Sequence, residues 1–200
     1  MGSGERVIMK VDALAPTFER IDIFDRKINL KDYRGKRLLL GFFRHAGCPF
    51  CNSRVHRLEA KYEEFQNLGM EMIFFFESDQ ESLLGNDFHK NVSPIPIISD
   101  TEKKIYETYG VENSGYITAK SHLTSFFATA LRAKLKRLPV HWLKGKESIN
   151  TIPAEFLIDE YGVVKKLLYC KSLTQRMSMD VITEFAQNAD IEGKWGSKTP

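Results

Sequence analysis

Two continuous apolar runs, Arg37 to Phe43 and Met70 to Phe76, flank a segment whose apolar residues follow a different period. Runs of this length suit central strands covered on both faces. Between them, Val55, Leu58, Tyr62, Phe65 and Leu68 recur at three and four residues, which predicts one amphipathic helix closed by Gly69. A strand, a helix and a strand of these lengths make a βαβ unit, with parallel strands and a right-handed crossover. That unit commits the chain to an α/β architecture.

The remaining segments extend the same sheet. Thr17 to Ile23 places Phe18, Ile21 and Ile23 among polar residues, and Asp25-Arg26-Lys27 turns the chain back to Ile28-Asn-Leu30, which predicts a hairpin. Asp79 to Lys90 and Glu102 to Tyr109 read as short helices, the second ending at Gly110. Ile95-Pro-Ile-Ile98 is extended, and its prolines favour a sheet edge. Ala154 to Ile158 and Val163 to Tyr169 form an antiparallel hairpin through Asp159-Glu-Tyr-Gly162, with Gly162 suited to positive φ. A last helix is expected over about Met177 to Gln187.

Residues 111–151 interrupt this rhythm. Leu123, Phe126, Phe127, Ala130, Leu131, Leu135 and Leu138 form a helical stripe, with Arg132, Lys134, Lys136 and Arg137 mostly off it. From Gly115 to Lys146 there are seven Lys or Arg and no Asp or Glu, so the rest of the chain is net negative within a total of +3. A total this small gives no ground for a nucleic-acid or membrane partner. The basic face reads as a solvated surface, a landing site for an acidic redox partner or a membrane-surface helix, and Phe126 and Phe127 offer a lid or a homodimer contact. One domain is expected over residues 5–190, with a helical insertion at about 111–151 and a polar tail at 191–200. No apolar run approaches the ~18–20 residues of a transmembrane span, and Met1 to Lys10 lacks the apolar core of a secretory signal, so a cytoplasmic location is expected.

Chemistry concentrates in Cys48-Pro-Phe-Cys51, which holds two of the three cysteines. The motif follows the C-terminal end of a central strand and opens a helix, the sheet edge where sites form in α/β folds. Pro49 fits the first helical position, which leaves Cys48 near the N-cap, beside unpaired backbone N–H groups and the positive end of the helix dipole. A thiol of pKa ~8.5 is about 3% ionised at pH about 7, whereas one lowered to ~7 is about half ionised. Two intervening residues in a helical turn also let the sulfurs approach bonding distance. Ile152-Pro153, directly ahead of the hairpin strand, marks a turn or a cis peptide. Arg44 can favour thiolate by charge or simply end the strand in solvent, and His45 is either a local base or a loop histidine with no catalytic role. Cys170, closing the last apolar strand, reads as a buried inert thiol. The competing reading of the motif is zinc, through His45-x2-Cys48-x2-Cys51-x4-His56, although His56 falls about 140° around a helix from Cys51.

A strand, a CxxC helix, a strand, a proline-led hairpin and a last helix together resemble the thioredoxin fold, and Cys-Pro-Phe-Cys is similar to a glutaredoxin motif. Further matches sharpen the likeness. Leu14-Ala-Pro16-Thr-Phe18, Tyr33-Arg-Gly35-Lys36, Ile98-Ser-Asp100 with Tyr109-Gly110-Val111, and Phe156-Leu-Ile-Asp159 with Gly162 resemble the peroxiredoxins of the AhpC/TSA family over about residues 13–187. The likeness is to the group in which CxxC replaces Thr-x-x-Cys and an insertion precedes the proline-led strand. It implies a peroxiredoxin-type central mixed sheet flanked by helices, with Cys51 in the peroxidatic position, Cys48 in that of the threonine, and Pro153 facing the dithiol in cis form. The sequence departs from the family where Arg44 replaces a proline and Pro153 replaces an arginine. Thiol–disulfide exchange needs only the dithiol, the helix terminus and the proline, and each has a candidate.

The resemblance therefore implies a thiol-dependent oxidoreductase, either a peroxiredoxin-like antioxidant or an exchange protein. It would cycle Cys48 and Cys51 between dithiol and disulfide, with Pro153 at the site, Arg44 and His45 in support, and no cofactor or metal. Its partners would be a thioredoxin- or glutathione-type reductant and a hydroperoxide or disulfide substrate. The alternative is a non-catalytic interaction protein whose CxxC binds zinc or is vestigial.

Overall fold

The computed structural model describes residues 8–85, 92, 94–111 and 151–188. The central strands form as the apolar runs require. β3 (Arg37–Phe42) is buried at every position, and β4 (Met70–Phe76) pairs with it in parallel, Leu39 opposite Met72. β5 (Ile97–Ser99) adds in parallel at the edge, while β6 (Ala154–Ile158) runs antiparallel against the other side of β3 and β7 (Val164–Tyr169) against β6. The five-stranded order is β5-β4-β3-β6-β7, a mixed sheet with β3 at its centre. Gly162 takes φ +78° in the β6–β7 turn, as expected. A separate hairpin of β1 (Glu19–Ile21) and β2 (Lys27–Asn29) pairs Glu19 with Asn29.

The two-residue period of the strands sorts the core onto two faces. Leu39, Met70, Met72, Phe74 and Leu157 point to one face, where α1 (Pro49–Glu59), α2 (Tyr62–Asn67) and α5 (Met179–Gln187) supply Val55, Leu58, Phe65, Ile182 and Ala186. Leu38, Leu40, Phe42, Ile73 and Phe75 point to the other, against α4 (Lys104–Thr108) and the β1–β2 hairpin. There Phe42 stacks on Phe75 at 4.7 Å and meets Tyr106 edge-on at 5.2 Å, geometries that add to area burial. A short α3 (Gln80–Leu84) follows β4, capped by the Asp79 side chain on the Ser82 N–H.

Three expectations need correction. The single helix expected over Val55 to Leu68 is two, because the chain turns at Ala60–Lys61, and Leu58, Phe65 and the partly buried Tyr62 still reach the core from both pieces. Ile21 is 56% exposed, since the chain bends at the buried Asp22, whose carboxylate accepts from the Phe24 and Arg26 N–H groups. Asp79 to Lys90 is helical only over Gln80–Leu84 among its described residues. The basic stretch with its stripe Leu123 to Leu138, the insertion boundaries and the tail all lie outside the described residues, as do Phe126 and Phe127. Among the described residues, no helix is long and apolar enough to cross a membrane.

Candidate active site

The site forms where β3 leaves the sheet. The parallel ladder continues one step past the strand, with Phe43 N–H on Phe75 O at 2.9 Å and Glu77 N–H on Arg44 O at 3.1 Å. The chain then turns through His45, Ala46 and Gly47. Ser78 Oγ accepts from the Ala46 N–H at 2.7 Å, Asn52 Nδ2 donates to Ala46 O at 2.9 Å, and the Cys48 N–H closes on His45 O at 3.0 Å. These bonds clamp the loop between β4 and α1.

Cys48 is the N-cap of α1, with extended φ/ψ of −75°/109°, and Pro49 follows at the first helical position. A sulfur thus stands at the N-cap position where an oxygen usually caps the helix. Arg44 Nη1 donates to Cys48 Sγ at 3.8 Å. Burial strongly opposes ionisation of Cys48, but the Cys51 thiol donating to it, the Arg44 guanidinium, the Cys51 backbone N–H and Arg176 together outweigh that cost and lower its pKa to about 6. Cys51, one turn into the helix, moves the opposite way. Burial, the hydrogen bond to Cys48 and the negative charge there push its pKa well up, against the opposing pull of Arg176 and a backbone hydrogen bond at Arg44. The two sulfurs therefore titrate as a pair, with the first charge favoured on Cys48.

The sequence reading expected Cys48 to be the more exposed thiol. Both cysteines are fully buried, at 0% exposure, and the partly exposed Phe50 between them in sequence packs against the same core. Acidity separates the two cysteines and exposure does not.

Of the expected site residues, the structure brings Arg44, Cys48 and Cys51 into contact. His45 is buried and acts through its backbone carbonyl on Cys48 N–H. Pro153 precedes β6, where Ala154 pairs with Phe42 beside the exit of β3, so it lies at the same sheet edge as the dithiol loop. The Pro153 carbonyl accepts from the Cys170 N–H at 3.0 Å. Its neighbour Ile152 packs with Cys170, Leu173 and Phe50, which links the CxxC turn to the proline segment. Cys170 is 4% exposed, donates to Gln175 O, and is pushed up to about 11 by burial. The zinc set does not assemble: His56 points out of α1, its side chain 69% exposed and paired with Glu59 at 3.2 Å. Among the described residues, no three His, Cys, Asp or Glu side chains cluster as a metal site.

Three residues escaped the sequence reading. Arg54, on the buried side of α1 and 1% exposed, forms a two-pronged ion pair with the fully buried Glu155 of β6, at 2.7 and 2.9 Å. The same two side chains grip the backbone of Met177, Arg54 donating to its carbonyl at 2.9 Å and Glu155 accepting from its N–H at 2.8 Å. The neighbouring Arg176 then reaches back to the dithiol, its Nη2 4.0 Å from Cys51 Sγ. Glu155 had a signal, a lone carboxylate in an apolar strand; Arg176 had none, since only the fold brings it to Cys51.

The chain matches the AhpC/TSA family model over residues 11–167. It is 28% identical over 103 residues to the thiol-disulfide oxidoreductase ResA of Bacillus thuringiensis (strain Al Hakam), covering 52% of this chain and 59% of that protein. Peroxiredoxin Bcp of Escherichia coli (strain K12) is 25% identical over 103 residues, 52% of this chain and 65% of its own. These alignments span less than two thirds of either relative. Among solved structures, the reduced 2-Cys peroxiredoxin of Plasmodium vivax superimposes with a TM-score of 0.60 at 20% identity, over 88% of this chain and 79% of its own. Peroxidoxin BcpB of Mycobacterium tuberculosis does so with a TM-score of 0.60 at 16% identity, over 90% and 94%. The fold is the thioredoxin-like α/β sheet expected from the sequence.

Proposed function

The chain belongs to the AhpC/TSA family, and from that premise we propose that it is a thiol–disulfide oxidoreductase in which Cys48 attacks and Cys51 resolves. The observation that carries this reading is the placement of the two sulfurs, Cys48 at the mouth of α1 with Arg44 Nη1 at 3.8 Å and Cys51 one turn in, which draws the Cys48 thiol down and leaves Cys51 pushed up. The nucleophile in exchange is the thiolate, and at neutral pH only Cys48 has one ready.

In the forward cycle the Cys48 thiolate attacks one sulfur of a substrate disulfide, forming a mixed disulfide and releasing the other half as a thiolate. Cys51 then gives up its proton and attacks the Cys48 sulfur. The second substrate half leaves as a thiolate, and the Cys48–Cys51 disulfide closes. A small thiol or a reduced dithiol protein restores the starting state by the reverse exchange. Pro153 and Ile152 shape the wall against which the substrate disulfide lies, and Arg44 holds charge on Cys48. Because both cysteines are fully buried, the site has to open for substrate to enter. The relatives support the class, ResA being named a thiol-disulfide oxidoreductase and Bcp a peroxiredoxin. A cytoplasmic setting, a thioredoxin- or glutathione-type reductant and residues 5–190 as one domain belong to the same proposal.

The test is to mix reduced protein with a small aliphatic disulfide and, separately, with a hydroperoxide, and to follow dithiol loss. The disulfide should oxidise the pair faster, and peptide mapping should find Cys48 bridged to Cys51 with Cys170 still reduced. Faster loss with peroxide, through a sulfenic acid on Cys51, would instead make the protein a peroxidase with Cys48 resolving.

A further inference from the structure

We propose that Arg176 is the charge partner of the Cys51 sulfur in the resolving half of the exchange, a catalytic residue distinct from the Arg44 that serves Cys48. The proposal rests on the exchange reading above and adds to it a group for the second step.

Arg176 lies in the loop between β7 and α5, and its guanidinium is fixed from both sides. Nη1 donates to the carbonyls of Leu173 and Gln175, while Nη2 is the atom nearest Cys51 Sγ, at 4.0 Å. Its Nε is buried without a hydrogen-bond partner among the described residues. The next residue, Met177, is locked through both backbone groups by Arg54 and Glu155. Arg54 is three residues beyond Cys51 on α1, and Glu155 two beyond Pro153 on β6. A buried ion pair therefore ties the helix carrying the dithiol and the strand following the proline to the residue beside Arg176.

The chemistry assigns the step. The Cys51 sulfur is faced by Cys48 at the helix mouth, by the backbone at Arg44 on the exit of β3, by Tyr106 on α4 and by Arg176. Arg176 also hydrogen-bonds the Cys170 sulfur, on which Glu155 and Arg54 act electrostatically as well. In the resting dithiol the charge on Cys48 keeps the proton on Cys51. Once Cys48 carries the substrate half as a mixed disulfide, that charge is gone, and so is the acceptor for the Cys51 proton. Arg176 and the backbone contact at Arg44 remain, and both favour the Cys51 thiolate. The Cys51 proton passes to water admitted with the substrate; attack by the resulting thiolate forms the Cys48–Cys51 bond, breaks the Cys48–substrate bond and expels the substrate half as a thiolate, so protons and electrons both balance with no further reagent. Forming the adduct thus eases ionisation of the resolving sulfur, although burial still opposes it, and Arg176 is the cation that helps to overcome that opposition.

The test uses the full-length reduced protein and a chromogenic aryl disulfide, each half of which absorbs when released. Formation of the Cys48 adduct frees one chromophore, and attack by Cys51 frees the second, so the two phases report the two steps. In Arg176→Gln the second phase should slow about tenfold at pH about 7, while the first should change by less than about threefold. The second-phase pH profile should move to higher pH, and Arg176→Lys should recover part of both effects. A merely structural arginine would leave that profile in place. Equal second-phase rates and profiles in wild type and Arg176→Gln, with both proteins folded by circular dichroism, would overturn the proposal. A wild-type protein that releases only one chromophore would overturn the exchange reading itself, and this proposal with it.

Discussion

At pH about 6, a Cys48→Ser variant is expected to lose about tenfold in its rate of attack on a small disulfide. At that pH Cys48 is about half thiolate, whereas an ordinary thiol of pKa ~8.5 is about 0.3% ionised, a difference of more than a hundredfold. Part of this is returned, because a less basic thiolate is a weaker nucleophile, by about tenfold over such an interval. The remainder is the expected loss. Cys51 in the variant is relieved of its anionic neighbour, but burial still opposes its ionisation. The sign of the pH dependence follows: wild-type attack should be nearly flat above pH about 7 and fall about tenfold per unit below about 6, while the variant should still be rising well above neutrality. The complementary Cys51→Ser variant should attack normally and stop at the mixed disulfide. Parallel falls in both variants, or none in Cys48→Ser, would contradict the assignment.

The second large effect concerns stability. Glu155→Gln is expected to destabilise the fold by about 3–5 kcal/mol in urea unfolding, since it strands the Arg54 charge in a site that excludes water. Glu155 and Arg54 are 0% and 1% exposed, so solvent screens little of the interaction. Glu155 accepts three bonds, two from Arg54 and one from Met177 N–H, and an amide cannot accept all three with the same oxygens. Replacing both partners by apolar residues of similar volume should recover much of the loss, because the pair gains little over good packing once its own desolvation is counted. A double variant as unstable as Glu155→Gln would show that the Met177 contacts, and not the charge pair, hold this region together.

The legibility of this protein divides along one line. Patterns that repeat locally were readable: the alternation of Leu38, Leu39 and Leu40 between two faces, the turn at Gly162, the N-cap position of Cys48 set by Pro49. Each follows from strand or helix period and from the φ preferences of single residues. The break between α1 and α2 was not readable, because both pieces keep the same three-and-four spacing across it. Arg54 and Arg176 were opaque for a different reason. Their partners are 101 and 125 residues away in the chain, and a charged residue in a helix or loop reads as solvent-facing until the fold brings a carboxylate or a sulfur to it. Hence the expected site contained the two cysteines but missed the arginine beside Cys51.

The central claim is that Cys48 carries the charge and Cys51 the proton. The most direct measurement is alkylation of the reduced protein with a limiting amount of iodoacetamide at pH about 6–7, followed by peptide mapping of all three cysteines. The account predicts label on Cys48 first, with Cys51 and Cys170 largely unmodified. Label on Cys51 first, together with a sulfenic acid on Cys51 in peroxide-treated Cys48→Ser, would contradict it.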